Sequence, residues 1–174
     1  VINNDDELIE PGFDSVDDFI TAHHSQPWFV SMVGFVSGLP FLYQLVEREK
    51  QLEVPKYLRP RTDTPKLTVG YGGCFSCIYS VRGAGGYQMF GITPMPIYDP
   101  EQKVTYLQDF MVLFRPGDIV KWRPIDRAEY DDICQQVEDG TYKPKMANVE
   151  FDLDTFNQDI AKTNARLMEA LNGA

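Results

Sequence analysis

Among 174 residues this chain has only two histidines and three cysteines. Histidine and cysteine supply most metal ligands and many catalytic bases and nucleophiles, so their scarcity narrows the chemistry at once. Cys74, Cys77 and Cys134 are odd in number and sparse, which excludes a disulfide scaffold and sets the expected location as reducing and cytoplasmic. Cys74 and Cys77 have redox or zinc spacing. A zinc site needs about four ligands, and no second Cys or His pair stands near them in sequence. A redox pair opens a helix, whereas this one lies in an apolar, β-rich run. Both are expected to be strand or core residues, with no metal site.

No run approaches the ~18–20 apolar residues of a membrane span, and the start, Val1-Ile-Asn-Asn-Asp-Asp-Glu7, lacks the regions of a signal peptide. The first residue is not Met, so the chain is expected to be processed or cut, or to be shown without its true start. Basic residues are outnumbered 16 to 26, for a net charge of −10. Nucleic acid and anionic membranes need a basic footprint, so neither is expected as a partner. The 43% hydrophobic content suits one domain with a real core, or one domain with a small appendage.

What the chain does have is a glycine-punctuated stretch, Val69 to Pro100, with pairs at Gly72-Gly73 and Gly85-Gly86. Such pairs let backbone approach a ligand or turn sharply where a Cβ would clash. The stretch reads as β-strands, expected near 67–72, 75–82, 87–92, 95–98, 104–107 and 118–124. Many short strands with glycine turns suggest a closed or nearly closed barrel. Ser15 to Asp18 has the form of a capping box and starts a short helix running to His23-His24. Trp28 to Val36 reads as a strand buried on both faces. Phe41 to Lys50 is expected to hold one or two helical turns. Residues 53–66, with three prolines, are expected to form a loop without regular structure. Asp126 to Asp139 reads as a helix stopped by Gly140. The apolar spacing over 153–171 predicts a tail helix with a break at Asn164.

Three stretches resemble the first-subunit half of the carboxyltransferase domain of urea carboxylase and urea amidolyase, a family that includes allophanate hydrolase subunit 1, kinase-inhibitor proteins and a 5-oxoprolinase subunit. One is Gly12 to Asp18 with His23 and Val33-Gly-Phe-Val-Ser-Gly-Leu-Pro-Phe-Leu42. Another is Pro60-Arg61 with Thr64-Pro65. The third runs from Gly72-Gly73 through Ile78-Tyr79, Gly85-Gly86-Tyr87-Gln88, Gly91-x-Thr93-Pro94 and Asp99-Pro100 to Pro116-Gly-Asp118. The tail segments Pro124–Tyr130, Gly140–Tyr142 and Val149–Leu153 place the chain nearest the urea carboxylase branch. The resemblance implies a mainly β, cyclophilin-like β-barrel with a few peripheral helices and a C-terminal helical tail. It divides the chain into a carboxyltransferase-type domain over 1–125 and a helical extension over 126–174, packed on that domain or on a partner.

The resemblance also implies candidate residues. His23, Arg61 and Gln88 are the candidate catalytic groups, and Ser37, Tyr79, Gly85, Gly86, Tyr87 and Ile92 the candidate substrate-binding positions. In the family, carboxyl passes from biotin to an amide nitrogen between this half and a homologous second half. No cofactor is expected to bind directly, and carboxybiotin would come from a partner. The implied partners are the second half or another copy of this chain, with a small molecule as substrate. Cys74, Ala84 and Ile92 stand where the family usually keeps Gln, Pro and Arg. Loss of that arginine removes a bidentate grip on a carboxylate. Whether the chain is an enzyme is therefore left open. It reads first as a carboxyltransferase component binding a small amide or carboxylated substrate. One alternative is a diverged stand-alone decarboxylase, hydrolase or cyclase acting on a more apolar metabolite. Another is a non-catalytic regulatory module.

Overall fold

A computed structural model of the chain describes residues 13–173. Helix α1 spans Val16–His24, and its start follows the sequence: the Ser15 side chain accepts from the Asp18 N–H. Strands β1 (Trp28–Val33) and β2 (Pro40–Gln44) form an antiparallel pair with a bulge between Val30 and Met32. Then come β3 (Arg61–Thr64), β4 (Thr68–Gly72), β5 (Phe75–Ile78), β6 (Gly83–Gly85), β7 (Gln88–Ile92) and β8 (Ile119–Val120). Three helices close the chain: α2 (Arg127–Glu138), α3 (Leu153–Gln158) and α4 (Ile160–Asn172).

Six strands make one sheet in the order β7-β4-β5-β2-β1-β8, and β3 and β6 make a separate pair. The protein is mainly β with a few helices, but the sheet does not close into a barrel. Strands β7 and β8 are its two ends, and they do not pair with each other. Closure needs strand stagger and tilt around a full ring, and the two-residue β8 supplies little of either.

Several expected elements differ. Phe41 to Gln44 is strand rather than helix, because Pro40, Leu42 and Gln44 are buried while Phe41 and Tyr43 are half-buried on the other face. That alternation is the strand period. Only Arg48–Lys50 makes a short 3-10 turn. The proline-rich segment is not structureless: Arg61–Thr64 pairs with Gly83–Gly85. Thr105–Leu107 is a 3-10 turn rather than a strand, and Tyr98 makes a single bridge to Val112. The tail breaks at Asp159 rather than Asn164. The Asp159 side chain accepts from the Lys162 N–H and so starts α4, while Asn164 lies buried within that helix. Helix α2 matches its expected span, with Asp126 as its cap. Gly140 follows it at φ 69°, the left-handed conformation that ends helices.

The sheet's pleat sorts side chains onto two faces. One carries Phe19, Trp28, Val30, Leu42 and Tyr71, each 1% exposed or less. The other carries Leu39, Cys77 and Tyr79, with Phe41 and Tyr87 packed against them. Beyond these, α3 and α4 seat Phe156 and Leu167 on Leu45 and Phe29. Among the described residues no helix is long and apolar enough to cross a membrane.

Candidate functional site

The polar groups gather where β3 and β6 lie over the second face. Arg61 pairs with Gly85 across these strands. Its Nη2 donates to the Tyr87 carbonyl at 2.7 Å, and its guanidinium lies 5.2 Å from the centre of the Tyr57 ring. The Tyr57 N–H donates to the Gly86 carbonyl at 2.9 Å, pinning the proline-rich loop to the glycine pair. The Tyr79 hydroxyl accepts from the Tyr87 N–H at 3.4 Å. On the outer side of Tyr87, the Lys56 ammonium stands 5.1 Å from the ring centre. The structure thus brings Arg61, Tyr79, Gly85, Gly86 and Tyr87 into one group, and adds Tyr57, Thr64 and Lys56.

The glycines serve this group in a way that differs from the expected approach of a ligand. A Cβ on Gly72 would lie 2.4 Å from Cδ1 of Tyr87, and one on Gly85 would lie 2.5 Å from the Tyr79 hydroxyl and 2.6 Å from Thr64 Oγ1. The space a side chain would take is already filled by the tyrosines and the threonine. Gly73 alone of the first pair has a left-handed backbone, at φ 61°, and makes the β4–β5 turn.

Electrically the group is short of negative partners. Arg61 Nε and Nη1 are shielded from solvent and have no acceptor at good hydrogen-bond geometry among the described residues, although the Tyr79 hydroxyl lies close enough to feel the guanidinium, and Thr64 Oγ1 is likewise unpartnered. A guanidinium is always charged and presents its donors as a fork matched to a carboxylate. Nearby Asp63 is engaged by Arg82 at 2.6 Å, an exposed pair. Burial raises the Tyr79 and Tyr87 hydroxyls above their ordinary range, with the Cys77 thiol adding to both. Burial also pushes Cys77 up to about 12, so it is an inert thiol. Cys74, Cys77 and Cys134 are free, and no cluster of three or more His, Cys, Asp or Glu that could hold a metal occurs among the described residues.

The other candidates lie elsewhere. His23 is 4% exposed on the opposite face, ringed by Phe19, Trp28, Tyr71, Phe90 and Trp122. Its Nε2 is 3.0 Å from the Ser76 hydroxyl, which is itself fully buried. Burial, with a smaller push from His24, lowers His23 to about 3. A neutral histidine enclosed by rings packs as part of the core. Gln88 pairs with Tyr71 and donates from Nε2 to the Pro55 carbonyl at 3.1 Å, so it braces the 52–55 segment on the His23 side. Ser37 lends its carbonyl to the Ser80 hydroxyl at 2.6 Å, at the edge of the Tyr79 cluster. Ile92 stands 52% exposed at the end of β7. Neither Thr64 nor Tyr57 stood among the candidate site residues, although Thr64 belongs to the Pro60–Pro65 motif and Tyr57 lies four positions before Arg61.

Residues 12–107 match the model of the carboxyltransferase domain, subdomain C and D. The chain is 34% identical over 105 residues to a 5-oxoprolinase subunit of Escherichia coli O157:H7, covering 60% of this chain and 44% of that one. It is 33% identical over 115 residues to urea amidolyase of Lachancea kluyveri, covering 66% of this chain but 6% of the relative. The crystal structure of urea amidolyase from K. lactis superposes with a TM-score of 0.69 at 26% identity, over 94% of this chain and 10% of that one. The chain therefore spans less than half the length of these relatives. The structural likeness to urea amidolyase, over 94% of this chain, takes in the helical tail. On this ground the chain belongs to the carboxyltransferase domain family, as its subdomain C and D portion, with its likeness extending furthest toward the urea carboxylase branch.

Proposed function

We propose that this chain is the carboxyltransferase-type component of a larger assembly, and that the Arg61 group holds the carboxylate of a small amide-derived substrate. The observation that carries this reading is Arg61: one nitrogen anchors the Tyr87 carbonyl, and the other two have no acceptor at good hydrogen-bond geometry among the described residues. A buried guanidinium lacking a counter-charge is costly unless something completes it. A carboxylate would, with Thr64 Oγ1 beside it as a further donor. Lys56 and Arg59 add positive charge to the same loop of a chain whose net charge is −10, which would draw an anion there rather than elsewhere.

The named relatives supply the substrate class. One is called a 5-oxoprolinase subunit, another a urea amidolyase. 5-Oxoproline carries a carboxylate, and urea gains one on carboxylation. Carboxybiotin delivered by a partner fits the same donors through its own carboxylate, and the carboxyl group is the chemistry it would supply. Arg61 would orient that group, Tyr79 and Tyr87 would wall it from water, and Gly85 would leave room for both. His23 and Gln88 would hold the sheet behind. The reading keeps 1–125 as the carboxyltransferase-type domain and 126–174 as its helical extension, supported by a family match that ends at residue 107. A homologous second half would cover the open side of the site.

The test is calorimetric titration of the chain with 5-oxoproline, allophanate and urea. The two carboxylates should bind in a manner that depends on Arg61, and urea should show no Arg61-dependent binding. Arg61→Ala should weaken the carboxylates by tenfold or more, on the order of the ~1.5–3 kcal/mol of a charged hydrogen bond. Equal affinity in the variant, in a chain that still melts cooperatively, overturns the reading. Ile92, half-exposed where the family keeps arginine, favours a second reading, a diverged enzyme acting on a more apolar metabolite. Turnover of such a metabolite by the isolated chain, lost in Ile92→Arg, would mark it.

A further inference from the structure

Residues 52–57 run as a strap from Gly73 to Gly86 and are fastened along their length. The Leu52 carbonyl accepts from the Tyr71 hydroxyl at 2.9 Å. Val54 and Gly73 exchange two backbone hydrogen bonds, at 3.0 and 2.7 Å. The Pro55 carbonyl accepts from Gln88 Nε2 at 3.1 Å, and the Tyr57 N–H donates to the Gly86 carbonyl at 2.9 Å. The next residue, Leu58, stands wholly in solvent. Tyr57 is thus anchored where the strap turns outward, and it is half-buried there.

The strap delivers two reciprocal contacts to the Arg61 group. Lys56 sets its ammonium 5.1 Å from the centre of the Tyr87 ring. Tyr57 offers its own ring to Arg61, whose guanidinium carbon lies over it at 5.2 Å from the centre. Arg61 Nη2 closes the circuit on the Tyr87 carbonyl at 2.7 Å.

A ring face attracts a cation through its quadrupole and brings no lone pair. It therefore offsets part of the charge of Arg61 without occupying Nε or Nη1, the nitrogens that lack an acceptor at good hydrogen-bond geometry among the described residues. A carboxylate in its place would occupy them. The carboxylate nearest in sequence, Asp63, is turned away to Arg82, with both oxygens engaged at 2.6 Å. A long side chain that is already held does not have to be ordered when a ligand arrives, and ordering one such side chain lowers affinity by about two- to tenfold.

We propose that Tyr57 is the positioning residue of the Arg61 group: its ring holds the guanidinium in place and offsets its charge, leaving the remaining N–H groups to a carboxylate. The ligand in this proposal rests on the carboxylate reading above, whereas the holding of Arg61 is a property of the free chain. Tyr57 acts through Arg61 and makes no contact of its own with the reacting group.

The experiment reads Arg61 directly, as its Nε–H signal in ¹⁵N-edited NMR of the whole chain without ligand, identified by its absence in Arg61→Ala. Calorimetric titration with 5-oxoproline is run on the same samples. Tyr57→Leu keeps apolar bulk and removes the ring face. It should speed exchange of the Arg61 Nε–H with water and weaken 5-oxoproline by about three- to tenfold. Tyr57→Phe should restore both. Pentafluorophenylalanine at position 57 keeps the shape of the ring and inverts its quadrupole, so it should behave as the leucine variant does. If Tyr57→Leu fails to melt cooperatively, the comparison of the two rings decides the matter. Unaltered Nε–H exchange in Tyr57→Leu, or a fluorinated ring that behaves as phenylalanine does, overturns the proposal and makes Tyr57 a packing group. Absence of 5-oxoproline binding by the unaltered chain overturns the carboxylate reading instead, and the exchange series then decides the role of Tyr57 by itself.

Discussion

The two faces of the main sheet carry similar side chains and solve different problems. On the first, Phe19, Trp28, Tyr71 and Phe90 pack edge to face around His23, and the polar atoms of His23, Trp28 and Tyr71 are paired, while the neutral Trp122 Nε1 is not. Trp28 Nε1 donates to the His23 carbonyl at 2.8 Å, and the Tyr71 hydroxyl donates to the Leu52 carbonyl at 2.9 Å. On the second, Tyr79 and Tyr87 lie over a floor of Gly70 and Gly72, and the buried polar atoms of Arg61 and Thr64 stay unpaired. Buried polar groups are nearly always satisfied; the first face leaves one neutral indole N–H over, whereas the second leaves part of a charged guanidinium and a hydroxyl, and a charge is the costlier group to leave. The residue type alone misleads. The histidine, with the best catalytic reputation, is paired with Ser76 on the first face, and the arginine on the second keeps two nitrogens without a partner.

The sharpest break between the faces should come from Trp28→Ala. It empties a fully buried site and removes a hydrogen bond, and should cost about 3–5 kcal/mol in chemical denaturation. A smaller loss would mean that the first face is looser than its packing suggests. Next is Gly72→Ala, which puts a methyl group 2.4 Å from the Tyr87 ring. Overpacking of this kind costs about 1–3 kcal/mol, and here it should also weaken carboxylate binding by displacing Tyr87. Gly83→Ala, with nothing within 4 Å of the added Cβ, is the control and should bind normally.

A pH series tests the first face by itself. His23 is lowered from 6.5 to about 3, chiefly by burial. Below pH 6.5 the unfolded chain takes up a proton that the folded chain refuses, so stability falls as pH drops from about 6.5 toward 3 and is fully present above that window. His23→Gln should flatten this part of the melting-temperature profile, and an unchanged profile would place the histidine in water. The smallest effect belongs to the rim. Arg82 and Asp63 form an exposed pair, and Arg82→Ala should leave the melting temperature unchanged, since exposed ion pairs contribute little. A clear loss of carboxylate affinity in this variant would show that the freed Asp63 competes for Arg61.

Local signals were readable where the cause is local. The Ser15 and Asp126 caps, the extent of α2 and the left-handed Gly140 follow from side chains within a few positions of each other. The family likeness was also legible, because motif order survives divergence. Strand β3 was not, because Arg61–Thr64 is held by Gly83–Gly85 some twenty residues on, and a proline-rich stretch shows no sign of that partner. The break in the tail was misplaced for a similar reason. Asn164 looks like a helix breaker, yet the Leu45 carbonyl, far away in sequence, gives its side chain a buried partner.

The amino-acid sequence by itself determined the class of the chain, its mainly β content, its helix caps and its family, since these rest on composition, short-range spacing and motif order. Only the tertiary structure decided which candidates meet. The pleat sends neighbouring residues to opposite faces, so Ser76 turns to His23 while Cys77 turns to Tyr79 and Tyr87. It also decided what the glycine pairs are for. Space at Gly72 and Gly85 is claimed by tyrosine rings and a threonine hydroxyl brought there by pairing across strands, and steric occupancy of that kind is a property of the folded chain alone.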